Sequence, residues 1–210
     1  MNRRVIRWLA ALLFLALIFW LFPPFHIVRL GSEHTKPATN FNPAEFATNF
    51  WHAKLLPACD KAPQLKELLQ LLNHDPAAAR QQFGHSPGLS STTLFLVQGT
   101  GHVTALEKEE IRVEAQGSGS NVQVALLTGL VFGNAVRDAS GLLDGSAFAN
   151  SQDFNDISTE LNSIVEKRVV PDLRGHAAPR KAIRFAGCIE LEEGSLPKVW
   201  QLTPIKVEWP

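Results

Sequence analysis

Apolar residues switch from a helical period to a period of two near residue 93, and a chain that carries both patterns must build separate helical and strand-made parts. Before the switch, Leu65, Leu68, Leu69 and Leu72 recur at three- and four-residue steps and share one helix face. After it, Ile111, Val113 and Ala115 alternate with Arg112 and Glu114, and Val122, Val124 and Leu126 repeat the alternation. The expected class is therefore α+β.

Residues 43–84 read as a small helical part. Asn42 is placed to cap, Pro43 suits a first helical position, and Glu45 favours the positive end of the helix dipole. Phe46, Phe50 and Trp51 lie on one face, and Pro57 is expected to end this segment. A second helix spans Pro63 to Leu72. Asp75-Pro76 opens a third, which Gly84 closes.

Residues 93–210 read as strands with an inserted helix near 157–168. "TLFLVQ" leads through Gly99-Thr100-Gly101 into "HVTAL", with the glycines read as turn residues. "GSGSN", residues 117–121, is a turn by composition. Ile157, Leu161, Ile164 and Val165 share a helix face, which Pro171 is expected to end. Ile183, Phe185, Ile189 and Leu191 mark another strand, and Val199 to Glu208 the last one or two. Five or more short antiparallel, half-buried strands with helices inserted suit a small, partly open barrel, with a sandwich as the alternative.

The N-terminus predicts a membrane anchor over residues 1–30 and a tether over 31–42, ahead of an exported domain at 43–210. Residues 1–7 carry three arginines, and residues 8–22, "WLAALLFLALIFWLF", carry no charge before Pro23-Pro24. Fifteen helical residues span roughly 22 Å against a hydrocarbon core of ~30 Å. Val5, Ile6 and the stem of Arg7 extend the span, and Trp8 and Trp20 fall near its ends. The exit, Leu21 to His26, has neither the small residues a signal peptidase needs nor a cysteine for lipid. An uncut single-pass helix is expected. Its N-terminus lies in the cytoplasm and the main domain in the periplasm, by the positive-inside rule.

Chemistry-bearing motifs are sparse. Twenty basic residues balance twenty acidic ones, so nothing electrostatic favours nucleic acid. "GTGHVT" has threonine where a dinucleotide fingerprint needs its third glycine, and no phosphate-binding loop or G-x-S-x-G elbow occurs. The seven histidines, residues 26, 34, 52, 74, 85, 102 and 176, have no metal-ligand spacing. No catalytic residue, cofactor or metal site is expected, and the chain is read as a non-enzyme. Cys59 and Cys188 either form a bridge between the helical part and the strands or remain buried thiols. Arg137 and Asp138, in the glycine-flanked "GNAVRDASG", either bind a ligand or form a structural ion pair.

Several short pieces occur together in order. They are Trp51 and Pro57, Asp75-Pro76-Ala77-Ala78, Phe83-Gly84, Phe95-Leu96-Val97, Gly99 and Gly101. Then come Gly133-x-Ala135-x-Arg137-Asp138, Phe148-x-Asn150, Phe154, Asp156-Ile157, Leu161-Asn162, Phe185-x-Gly187 and Thr203-Pro204-Ile205. On these pieces the chain resembles the predicted periplasmic lipoproteins of unknown function often encoded beside ribose-type sugar ABC transporters. The resemblance implies an OB-type barrel with a helical subdomain and a role near carbohydrate uptake, and it brings no catalytic residue. Many members carry Gly-Cys before an Ile-Val pair, and that cysteine holds the lipid. Here Pro24-Phe25 stands before His26, Ile27 and Val28.

Two functions follow as expectations. One is a non-enzymatic, inner-membrane-anchored periplasmic protein accessory to a sugar ABC transporter. The other is a glycan or small-ligand binding module on an OB-like barrel, with Trp200 and Trp209 as sugar-stacking candidates.

Overall fold

Asn42 Oδ1 accepts the amide of Glu45 at 3.2 Å and starts the first helix of the folded unit, Phe41–Pro210. The computed structural model describes Leu13 and residues 41–86, 91–116, 121–148, 150–194 and 196–210. Among the described residues no helix is long and apolar enough to cross a membrane. The anchor expected at 1–30 and the tether as far as residue 40 lie outside the described residues, apart from Leu13.

Helix α1, Pro43–Phe50, runs through a π-turn at Trp51–Leu55 into α2, Leu56–Lys61. Pro57 therefore does not end the helix. The amide of Leu56 reaches back five residues to Trp51 O, so Pro57 falls in the first turn of α2, where no donor is required. The same device recurs later. Helix α6, Ser151–Ile164, passes through a π-turn at Val165–Val169 into α7, Val170–His176. There Val170 N–H reaches Val165 O, and Pro171 sits in the first turn of α7 instead of ending the run. Helix α6 also starts earlier than the apolar stripe suggests, because Asn150 Oδ1 accepts the Asp153 amide at 2.7 Å.

Between these lie α3, Leu65–His74, and α4, Pro76–Phe83, the latter capped by Asp75 Oδ1 on the Ala78 amide at 3.0 Å. Strands β1 (Gly84–His85), β2 (Thr92–Leu106), β3 (Glu110–Ala115) and β4 (Val122–Leu127) follow. A four-residue helix α5, Ala135–Asp138, precedes α6, and β5 (Ala182–Glu192) and β6 (Val199–Glu208) close the chain.

The six strands run β1-β2-β3-β4-β6-β5, and β5 also pairs with β2, so the five long strands form a cycle of pairings. One pairing departs from the all-antiparallel expectation: β4 and β6 are parallel, with Val124 opposite Trp200. A parallel pair requires a long crossover, and the helices α5 to α7 together with β5 supply it.

Gly99 and Gly101 do not make a turn. They lie inside the 15-residue β2, which bends to pair with β3 and β5. A Cβ at 101 would stand 2.4 Å from the backbone oxygen of Glu114, and one at 99 would stand 2.7 Å from the Phe185 ring. Of the "GSGSN" turn, residues 117–120 lie outside the described residues, but Ala115 pairs with Val122 across it.

Two cores form. Phe95, Val97, Val113, Leu126, Ile189 and Trp200 fill one with the leucines of α3. Leu94, Leu96 and Cys188 face the other, under α1, α2 and α6. Thus β2 and β5 are buried on both faces along part of their length, not half-buried, because helices cover their outer side.

Candidate functional site

Arg137 is the most deeply buried cation of the described fold, with about 4% of its surface exposed. Helix α5 sets it beside Asp138, and the adjacent pair joins side on. Arg137 Nε donates to Asp138 Oδ1 at 2.5 Å and Nη2 donates to Oδ2 at 2.8 Å. Nη1 donates to Phe154 O at 2.9 Å, and the guanidinium lies 3.5 Å above the Phe154 ring. This bidentate geometry, with three of five donors engaged, is the arrangement that makes a buried guanidinium tolerable.

The pair forms one wall of a cavity of about 650 Å³, shared with His85, Asp144 and Gly141. Gly141 has φ of +63°, and a Cβ there would stand 2.4 Å from the His85 ring. Asp144 Oδ1 accepts the Ser146 amide at 2.8 Å, which holds its carboxyl below the ordinary range. Phe154 also stacks with Phe148, which meets Phe41 and Phe46 edge-on, so α1 and α6 are joined by aromatic contacts.

A second cleft, of about 550 Å³, lies along α6 against residues 131–134. Two side chains one turn apart, one on α6 and one on the π-turn that follows it, hold that segment. Asn162 Nδ2 donates to Gly133 O at 3.0 Å, and Glu166 Oε1 accepts the Val131 amide at 2.8 Å. Ser158 and Asn162 are 5% and 7% exposed, and Ser158 Oγ and Asn162 Oδ1, both closed off from solvent, have no hydrogen-bond partner among the described residues. Phe132 stands at the mouth, 76% exposed. The sequence signal for this cleft is Asn155, Ser158, Thr159, Asn162 and Ser163, a helix stripe of uncharged polar residues opposite the apolar one. Sequence reading picked out the apolar stripe and passed over the polar one.

Cys59 on α2 and Cys188 on β5 are brought into one core cluster and stand there as thiols. Burial first, then the charge of Asp60, pushes the Cys59 thiol up to about 12. Burial raises Cys188 well above the ordinary thiol value, with the proximity of Cys59 the next cause. Nearby, Lys206 Nζ bridges Asp60 Oδ1 at 2.5 Å and Glu208 Oε1 at 3.0 Å, linking α2 to β6. These groups line a third, smaller cleft of about 200 Å³.

The tryptophans do not form an exposed platform. Trp200 is 5% exposed inside the strand core. Trp209 is half-buried, with Lys181 Nζ 4.6 Å from its ring centroid and His176 beside it. Of the histidines, 26 and 34 lie outside the described residues, and among the described residues no three His, Cys, Asp or Glu side chains gather as a metal site would need.

Five strands cyclically paired β2–β3–β4–β6–β5, with helices between β4 and β5, define an OB-type protein. The crystal structure of an OB-fold protein from Thermotoga maritima agrees, matching with a TM-score of 0.70 at 25% sequence identity over 81% of this chain and 99% of that one. No curated protein matches the chain. The model of the predicted periplasmic lipoproteins (DUF2291) matches residues 14–208, and the chain belongs to that family.

Proposed function

We propose that this chain is a non-enzymatic periplasmic protein held in the inner membrane by an uncut helix over residues 8–22, and that it is accessory to a sugar ABC transporter. One observation carries the anchor. A lipoprotein needs a cysteine at its membrane end, and the two cysteines of this chain, Cys59 and Cys188, are both buried in the folded unit. The uncharged run between three arginines and Pro23-Pro24 serves in place of the lipid. Family membership supports the periplasmic, membrane-associated setting. The resemblance to proteins encoded beside sugar transporters supports the accessory role. Intact mass measurement of protein from native membranes tests the anchor: a full-length mass without lipid is expected, and a mass lacking residues 1–30 overturns it. Affinity capture in mild detergent tests the role: transporter subunits are expected, and their absence overturns it.

A second reading, a small-ligand binding module, is favoured by the α6 cleft. Its lining includes the amides of Asn134 and Asn155 and the hydroxyl of Thr159, groups of the kind that orient a bound ligand.

A further inference from the structure

Building on the membrane-anchored reading, we propose that the loop 129–133 docks on the bilayer surface, dipping Leu130 and Phe132 into the lipid interface while Lys108, Lys167 and Arg168 meet lipid phosphates.

The loop, "GLVFG", alternates outward and inward. Leu130 is 74% and Phe132 76% exposed, while Val131 between them packs against the core under α6. Leaving two large apolar side chains in water is unfavourable, yet the loop is held in this form. Glu166 Oε1 accepts the Val131 amide at 2.8 Å, Asn162 Nδ2 donates to Gly133 O at 3.0 Å, and Arg174 Nη2 donates to Thr128 Oγ1 at 2.6 Å. The tip of the β2–β3 hairpin lies against the same loop. The Thr128 amide donates to Glu109 O at 2.8 Å, and Arg174 Nη2 also donates to Lys108 O. Leu106, at the hairpin end of β2, is exposed as well. Three of the five large apolar side chains exposed among the described residues of the folded unit thus gather at one end of the barrel.

The size and charge of the patch choose its occupant. A stable protein interface takes about 20–30 residues a side, and three apolar side chains fall far short of that. A few suffice for a shallow interfacial dip when the chain is already held at the membrane, because a tether raises the local concentration. Lys108, Lys167 and Arg168 are exposed around the patch, and Lys167 shares the wall of the α6 cleft with Phe132. Against them stands Glu109, since Glu107 pairs with Arg112 at 3.3 Å and Glu166 is engaged by the Val131 amide. This excess of cations suits the phosphates of anionic lipids. The reach of the chain also allows the contact. Phe41, where the folded unit begins, meets the Phe148 ring, and Phe148 meets Phe154 of α6. From Phe154 to Asn162, which holds the loop, the helix rises about 12 Å. The loop therefore lies near the start of the folded unit, and residues 25–40 extend to at most ~55 Å.

The test uses the full-length chain in vesicles of phosphatidylethanolamine and phosphatidylglycerol. An environment-sensitive nitrobenzoxadiazole label is placed on Leu130→Cys or Phe132→Cys. The control is Leu196→Cys, an exposed position ahead of β6, whose start lies beside the start of β4 and so away from the loop that follows β4. Cys59 and Cys188 are buried and do not compete for the label. Flotation of the protein with the vesicles reads the anchor, and the label reads the loop. Blue-shifted emission, quenched by nitroxide-bearing lipid, is expected at 130 and 132 and not at 196. Adding Leu130→Asp to Phe132→Cys should return the emission at 132 to that at 196, with the urea midpoint unchanged because the position is exposed. Protein that floats but shows no difference between the sites overturns the docking and leaves the anchor. A shift at 132 that survives Leu130→Asp comes from the label itself and overturns the docking too. Sites that stay aqueous in vesicles yet shift in isolated native membranes overturn the bilayer in favour of a protein partner. Protein that does not float overturns the anchor and, with it, this proposal.

Discussion

Arg137 and Asp138 are neighbours in sequence and partners in space, joined at 2.5 and 2.8 Å through both carboxylate oxygens while the guanidinium lies over the Phe154 ring. Consecutive helical residues normally point away from each other. The pair meets because α5 has only four residues and leads straight into a loop. The cation is thereby held at the junction of α5, α6 and the 650 Å³ cavity.

Removing the acid should be costly. Asp138→Ala leaves a buried guanidinium without its counter-charge, and a loss of about 3 kcal/mol is expected. Asp138→Asn keeps one acceptor and should lose less. Urea unfolding of both variants checks this. A change within about 0.5 kcal/mol for Asp138→Ala would mean the pair adds nothing to the fold.

The β2 glycines should respond unequally to alanine. At 101 the new methyl meets backbone, 2.4 Å from Glu114 O and 2.9 Å from Ala115 Cα, and neither can yield without breaking the β2–β3 pairing. At 99 it meets the edge of the Phe185 ring, which can rotate. Gly101→Ala should cost about 2–3 kcal/mol and Gly99→Ala less. Thermal melts of the two variants read the order directly, and the reverse order would contradict the register.

The cysteine pair makes a redox prediction. Both thiols are buried with raised pKa values, so the folded protein should resist iodoacetamide at pH 8. We propose that in the oxidising periplasm Cys59 and Cys188 close a disulfide during folding, before burial removes access. The two thiols give up two electrons and two protons to the disulfide of a thiol–disulfide oxidoreductase. Non-reducing peptide mapping of native protein should find the two peptides linked. Full alkylation of both after denaturation without reductant would overturn it.

Alkaline stability should distinguish the redox forms as well. A thiol whose folded pKa is raised from 9.0 to about 12 binds its proton more tightly when folded. Its stabilising contribution is complete below pH 9 and is lost as pH rises towards 12. The reduced protein should therefore weaken from about pH 9 upwards, and the bridged form should not weaken through these groups. Lys206 acts in the same direction at higher pH. Its hydrogen bonds to Asp60 and Glu208 raise its pKa above 10.5, so their support is present below that value and fades above it. The stability difference between wild type and Lys206→Met should hold through neutral pH and shrink in that range, as denaturation at stepped pH would show.

Some elements were legible because their causes are local. Asn42-Pro43 and Asp75-Pro76 announce helix starts, since a cap bonds within three residues. Ile111, Val113 and Ala115 announce an inner strand face, since side chains alternate about the backbone. Asn150 was equally local and was missed, because its stripe of apolar residues begins only at Ile157. Pro57 and Pro171 misled for a different reason. A proline ends an α-helix by the i−4 rule, and a π-turn ahead of it shifts the hydrogen bonds by one residue.

The sequence by itself determined the class of the protein, the cap residues, the inward faces of most strands and the uncharged, arginine-flanked N-terminal run. These depend on interactions a few residues long. Only the tertiary structure decided that β4 lies parallel to β6, that β2 and β5 are covered on both faces, and that Trp200 is enclosed rather than exposed. It also decided that Cys59 and Cys188 share one core and that Asn162 bonds to Gly133, beside a cleft along α6. Such contacts join residues tens to more than a hundred positions apart. Their free energy comes from packing whole elements together, and no local pattern records which elements those will be.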